Sequence, residues 1–203
     1  LKYITEDMPF VIMKSAQTLD GYLATSTGDS KWVTAEKARL YGHKLRHKVD
    51  GILVGINTVL SDNPSLTTRL EKIEGSDPIR IILDSKLKTP EDAKIINQES
   101  EAQTLIVCGK NVDENKKELF LEKEEVDLLS LPLNKNCLIP IETLLKKLHN
   151  RKISSILIEG GGKINYSFLR KGFIDKIYNF IAPKYLGGND GISVFDGDGP
   201  EKM

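Results

Sequence analysis

The sequence predicts an α/β fold, a mainly parallel central sheet with helices on both sides, and three observations predict it. Apolar, β-branched runs recur along the whole chain, at 10–13, 52–54, 79–83, 104–107, 156–158 and 177–181. They are continuous rather than alternating, the pattern of strands covered on both faces. Amphipathic or charge-rich segments long enough for helices lie between them, at 35–48, 113–125, 141–150 and 164–171. Such strand–helix alternation builds parallel sheets.

In chain order, Phe10-Val11-Ile12-Met13 is the first strand and delivers Lys14 at its end. In the helix 35–48, Arg39, His43 and Arg46 recur at i, i+4 and i+7 and share one face. Ala38, Tyr41 and Leu45 take the other side and are expected in the core. The runs 52–54, 79–83 and 104–107 are the next strands, followed by the helix 113–125. Pro140 fits the first turn of the helix 141–150, because its missing N–H is not needed there. The strand 156–158 feeds Gly160-Gly161-Gly162, which opens a helix near Lys163, and Gly172 falls just past that helix's end. The run 177–181 is the last strand. Segments 84–101 and 187–199 are turn-rich and polar and are expected as surface loops. With no repeat and no low-complexity linker, the chain reads as one domain.

Bulk properties narrow the function classes. The 203 residues suit one domain with a sizeable core. Lys+Arg and Asp+Glu both count 29, so the net charge is zero; no polyanion partner is implied, and nucleic-acid binding would call for a basic excess. A phosphate would have to be gripped locally by a few side chains and backbone N–H groups. Cys108 and Cys137 stand alone, without a CxxC or paired histidines, so no metal site is expected and both read as buried thiols in a reducing cytosol. No signal peptide or membrane-length apolar run is visible in the sequence, and the expected location is the cytoplasm.

Several polar, glycine-flanked segments begin where apolar runs stop, which is where open α/β sheets bind ligands. The segments along the chain are Lys14 to Gly21, Thr27-Gly28-Asp29-Ser30-Lys31-Trp32-Val33-Thr34, His43-Lys44-Leu45-Arg46, Val54-Gly55-Ile56-Asn57-Thr58-Val59 and Asp62-Asn63-Pro64-Ser65-Leu66-Thr67-Thr68-Arg69. A triple glycine alone reads as a tight turn. At a strand end opening a helix it also lets backbone approach a pyrophosphate, with free N–H groups favouring the negative charge. The spacing is not GxGxxG, since Asn165 occupies the third glycine's place, so a Rossmann dinucleotide fold is disfavoured. The basic face of 35–48 reads either as solvated surface or, with Arg69, as a phosphate grip through planar guanidinium forks. Trp32, a lone tryptophan, reads as core, and Lys14 as an edge lysine or a cleft residue. Asp20, before Gly21, reads as a brace for its turn. Ser85 with Lys86 and Lys88 reads as a solvated loop or as a seat for a further phosphate.

These segments, in this order, resemble the reductase domain of the bacterial bifunctional riboflavin-biosynthesis deaminase/reductase family over essentially the whole chain. The resemblance implies a dihydrofolate-reductase-like three-layer fold with NADPH as cofactor. The implied activity is reduction of 5-amino-6-(5-phosphoribosylamino)uracil to its ribitylamino product. Carried over position by position, it implies that Ala16, Trp32, Thr58, Asp62, Ser85 and the run Gly161, Gly162, Lys163, Ile164, Asn165, Tyr166 and Ser167 bind the cofactor. Lys14, Ser30, Arg46, Leu66, Arg69 and Glu159 would bind the phosphorylated pyrimidine riboside, with Lys14 and Asp62 nearest the chemistry. His43 is left as packing or support. Residues 1–8 resemble the linker that follows a zinc deaminase half, so 9–203 would be a reductase domain whose fused deaminase partner lies outside this sequence. Family members continue into a last strand pair where this sequence stops at Met203, so an unpaired sheet edge is expected. A homodimer is implied, with no nucleic-acid or membrane partner. The competing readings are the 2,5-diamino-6-ribosylaminopyrimidinone 5′-phosphate reductase of the same fold, a dihydrofolate reductase, and a nucleotide-binding module without chemistry. The two arginines and the triple glycine fit a phosphosugar better than a folate.

Overall fold

The computed structural model describes residues 2–30, 33–70, 76–199 and 201. Seven strands form the main sheet: β1 (Phe10–Thr18), β3 (Gly51–Gly55), β4 (Ile79–Leu83), β5 (Thr104–Gly109), β6 (Val126–Leu131), β7 (Ser155–Ile158) and β8 (Lys176–Ala182). Their order is β6-β5-β4-β3-β7-β1-β8, and every pairing in it is parallel. A two-stranded antiparallel ribbon of β2 (Tyr22–Ala24) and β9 (Ile192–Ser193) stands beside it. The apolar runs predict the parallel sheet because its central strands are buried on both faces; β3 and β5 are buried throughout.

Helices cover both faces. On one side, α6 (Ile141–Asn150) and α7 (Gly162–Arg170) bring Leu144, Leu145, Leu148 and Phe168 onto Val11, Met13, Leu53, Ile81, Ile156 and Ile158. On the other, α3 (Ile56–Asp62), α4 (Lys94–Asn97) and α5 (Glu114–Leu121) bring Val59, Ile95, Ile96 and Phe120 onto Ile52, Val54, Ile82 and Ile106. α2 (Glu36–Arg46) adds Leu45 against Leu157. The short N-terminal α1 (Lys2–Thr5) is tied down by Lys2 Nζ on Asp175, 2.8 Å away, and by the Tyr3 ring against His149. Among the described residues no helix is long and apolar enough to cross a membrane.

Six expectations are corrected. The first strand does not stop before Lys14 but continues to Thr18, so Lys14 stands inside β1, and Ala38 is half-buried rather than in the core. The helix expected over 113–125 ends at Leu121, and residues 126–131 form β6; this strand is only half-buried, and Asp127 and Ser130 interrupt its apolar pattern. Segment 84–101 is not a surface loop. It carries α4 and buries Leu87, Thr89, Ala93, Ile95 and Ile96, because the chain folds back over β4 and β5. Tyr41 is 42% exposed and stacks on Tyr178 and Phe180 at the sheet margin instead of entering the core. Cys137 is exposed in the turn before α6, and only Cys108 is buried.

Candidate active site

A cleft of about 1170 Å³ opens where the strand order turns back on itself, outside the carboxyl ends of β1, β3, β7 and β4. The predicted residues Lys14, Ala16, Ser30, Thr58, Asp62, Ser85, Glu159 and the run 161–167 all line it. Arg46 and Leu66 sit behind this lining, Arg69 is exposed and is not among the lining residues, and Trp32 lies outside the described residues. Arg39, Lys135 and Cys137, none of them named as a site residue from the sequence, also line the cleft. Arg39 was legible as a member of the basic face. The β6–α6 turn carrying Lys135 and Cys137 was not, because nothing local marks a turn as facing a cleft.

The cleft floor is organised by one carboxylate. Glu159 follows β7, and its N–H donates to the Leu53 carbonyl at 3.0 Å, which ties it to β3. Arg46 meets it with a two-pronged fork: Nε donates to Oε1 and Nη2 to Oε2, both at 2.9 Å. Lys14 Nζ lies 3.6 Å from Oε2. The Glu159 side chain is only 8% exposed. Burial alone would raise its carboxyl pKa, but Arg46 and Lys14 overcome that and hold it at about 2. Glu159 is therefore an anion at any ordinary pH.

Arg46 is thus committed inside the protein, its remaining Nη1 donating to the Thr67 carbonyl at 3.0 Å. Arg69 is placed differently. Its backbone N–H donates to His43 Nδ1 at 3.2 Å and its Nε reaches Thr67 Oγ1 at 3.4 Å. Among the described residues, no protein acceptor meets its two Nη groups. Asp77 accepts the Thr68 N–H at 2.6 Å and so fixes the middle of the same segment. Leu66 is buried there with φ +55°, a left-handed conformation that Asn63 (φ +41°) shares at the end of α3.

The three glycines after Glu159 have separate jobs. A Cβ on Gly160 would lie 3.1 Å from Gly55 N and 3.2 Å from Val54 Cα, so a side chain there would push β3 and the β7 end apart. At Gly162 it would collide with Ser193 O and with Asp196, whose N–H donates to the Gly162 carbonyl at 3.1 Å. At Gly161 it would meet nothing within 4 Å, and φ is −55°. The protein's own packing gives no reason for a glycine there, and the vacant space beside it belongs to the cleft. This cradle at the start of α7 fits a pyrophosphate, with helix N–H groups facing it.

A strap over residues 191–199 closes this side. Asn165 Nδ2 donates to the Val194 carbonyl at 3.0 Å and Tyr166 Oη to the Asp198 carbonyl at 2.8 Å. The Asn165 Oδ1, buried, has no hydrogen-bond partner among the described residues. Asp20 accepts the Leu186 and Gly187 N–H groups, so it ties its turn to the distant segment that follows β8, a contact that its place before Gly21 did not predict.

Comparison with known proteins adds the following. The family model described as RibD C-terminal domain matches residues 9–203. The riboflavin biosynthesis protein RibD of Aquifex aeolicus is 43% identical over 194 residues, covering 96% of this chain and 51% of that protein. The 2,5-diamino-6-ribosylamino-4(3H)-pyrimidinone 5′-phosphate reductase of Methanothermobacter thermautotrophicus is 35% identical, covering 96% of this chain and 87% of that protein. The solved structure of Acinetobacter baumannii RibD, form 2, superposes with a TM-score of 0.81 at 28% identity, over 100% of this chain and 53% of that one. The chain thus spans about half the length of the RibD relatives that it matches.

Proposed function

On the premise that the chain belongs to the RibD C-terminal domain family, we propose that it reduces 5-amino-6-(5-phosphoribosylamino)uracil to the ribitylamino product with NADPH. The observation that carries this reading is that Lys14 and Glu159, the latter paired to Arg46 from behind, line one cleft with the open glycine cradle of α7. In a reductive ring opening, a sugar must be held against a nicotinamide while charge is placed at its anomeric end.

Gly161 and the first turn of α7 would hold the cofactor's pyrophosphate, with Ala16, Thr58 and Asp62 along the same wall. Ser85, Lys86 and Lys88 sit at the β4 end, where they would receive the phosphate that distinguishes NADPH from NADH. When bound, NADPH supplies a hydride for the anomeric carbon of the opened ribosylamine. Ring opening needs a proton at the ring oxygen. Lys14 and Asp62 line the cleft as candidate sources, with water as the third. Glu159 keeps the Lys14 ammonium turned into the cleft and locks Arg46 behind it. Ser30 and Arg69 would hold the substrate's sugar-phosphate end, Arg69 through its Nη groups, which meet no protein acceptor among the described residues. Arg46 and Leu66 act from behind by shaping the segment that carries Arg69.

The test is NADPH oxidation by the purified chain with the phosphoribosylaminouracil, followed by identification of the ribitylamino product. No turnover by a folded chain that binds NADPH would remove the reading. The second reading, reduction of the 2,5-diamino pyrimidine before deamination, is favoured by the 35% identity to the Methanothermobacter reductase. Turnover of both pyrimidines in parallel decides between them. In the longer RibD relatives the remaining half is not matched by this chain, and we infer a fused deaminase as its partner there.

A further inference from the structure

Arg69 can grip an anion only if its backbone is fixed, and that backbone has few fixed points. Residues 66–69 lie without regular secondary structure in the stretch that follows α3. Among the described residues three side chains hold it: Arg46 on the Thr67 carbonyl, Asp77 on the Thr68 N–H, and His43 on the Arg69 N–H. His43 is the one that touches Arg69 itself. It lies on α2 one turn before Arg46, with its Nδ1 as the acceptor at 3.2 Å. An imidazole accepts at Nδ1 only when that nitrogen carries no proton.

We propose that His43 is a positioning residue for substrate binding: its neutral imidazole latches the Arg69 backbone to α2 and so aims the Arg69 guanidinium at the substrate's phosphate. The proposal rests on the reading that Arg69 grips that phosphate. The surroundings keep the latch closed at neutral pH. Burial lowers the imidazole's pKa, as do the neighbouring charges of Arg46 on α2 and Arg69 on the segment. The Thr67 carbonyl and the Glu159 carboxylate past β7 act the other way without reversing the shift. Protonation would set an N–H donor at Nδ1 against the Arg69 N–H donor, and the latch would open on the acid side.

Two variants separate positioning from mere bulk. His43→Asn places its Oδ1 near the position of Nδ1, so it keeps an acceptor and cannot titrate. His43→Leu keeps the volume and removes the acceptor. For the phosphorylated substrate, His43→Leu is expected to raise KM roughly tenfold with kcat nearly unchanged, the effect of losing one hydrogen bond. His43→Asn stays near the parent. On the dephosphorylated riboside, parent and both variants should coincide. The parent's KM rises toward acid pH, and that of His43→Asn does not. Amide hydrogen exchange at Arg69 reads the latch without reference to substrate: it should quicken in His43→Leu and not in His43→Asn. Unchanged exchange in His43→Leu, or quickened exchange in both variants at unchanged melting temperature, overturns the latch. Quickened exchange in His43→Leu alone, with equal KM losses on both substrates, leaves the latch standing and overturns the phosphate reading for Arg69.

Discussion

At the scale of single residues, the two arginines that sequence pattern groups together separate once their partners are known. Arg46 faces a buried carboxylate with both prongs, whereas Arg69 keeps its Nη groups without a protein acceptor among the described residues. Arg46→Ala should therefore act first on the fold. It strands Glu159 in the interior without its fork, a change that costs roughly 3–5 kcal/mol when a buried pair is broken. Arg69→Ala should leave the melting temperature within a degree or two of the parent and raise KM for the phosphorylated substrate alone. Thermal melts alongside kinetics on both substrates check the pair, and equal melting temperatures would contradict the assignment. Glu159 makes a pH prediction. Its carboxyl sits at about 2 against an ordinary 4.5. A depressed folded-state value stabilises the fold at pH above about 4.5 and is lost as pH falls from there toward 2, a window worth roughly 3 kcal/mol. Glu159→Gln should be less stable than the parent at neutral pH and show a flatter acid limb in melting temperature against pH. A limb as steep as the parent's would place the acid sensitivity elsewhere.

At the scale of elements, α7 and its glycines show how a run of identical residues divides between packing and binding. Gly161→Val should fold like the parent, because a side chain there meets open space at an ordinary φ. It should also abolish NADPH binding by filling the cradle. Gly162→Ala should behave in the reverse order: its Cβ collides with residues 193–196, so stability falls first and the strap is displaced. Melting temperature and calorimetric titration with NADPH, measured on both variants, should give opposite patterns. A Gly161→Val variant that binds NADPH like the parent would move the pyrophosphate elsewhere. The same elements mark what was legible in the sequence. The β7 strand, the glycines and α7 are contiguous, so their signals reinforce one another, and α6 was bounded by Pro140 and its apolar stripe. The half-buried β6 gave a mixed pattern that merges with the charged helix before it. The short α3 was hidden because Asn57, Thr58 and Asp62 read as binding-loop residues. Glu159 and Ser85 lie just past the ends of β7 and β4, where an apolar run that stops marks the place, whereas Ala16, Thr58, Asp62 and the run in α7 were legible only through the family resemblance. The Arg46–Glu159 pairing was not legible, since 113 residues separate the partners and no local pattern encodes which acid a helix face will meet.

At the scale of the whole molecule, a neutral chain presents a basic cleft. The sequence balances 29 cationic against 29 acidic side chains, yet lysine and arginine outnumber carboxylates along the cleft lining. Glu159 is moreover neutralised internally by Arg46 and Lys14. Charge is thus sorted by place rather than by amount, which focuses attraction for anionic ligands in one concavity without making the surface generally sticky. Lys86 and Lys88 stand at the β4 end beside Ser85, and Lys135 reaches the same cleft from the β6–α6 turn. A cofactor with one more phosphate should gain from them. One charge-assisted contact is worth ~1.5–3 kcal/mol, so NADPH should bind about 10–100-fold more tightly than NADH. Because exposed lysines are screened by salt, the advantage should shrink as ionic strength rises. Lys86→Ala with Lys88→Ala should lower NADPH affinity toward the NADH value and leave NADH binding nearly unmoved, which calorimetry at two salt concentrations reads directly. Equal affinities for the two cofactors in the parent would remove the phosphate seat at β4. A preference that survives both substitutions would shift it toward Ser85 or Lys135.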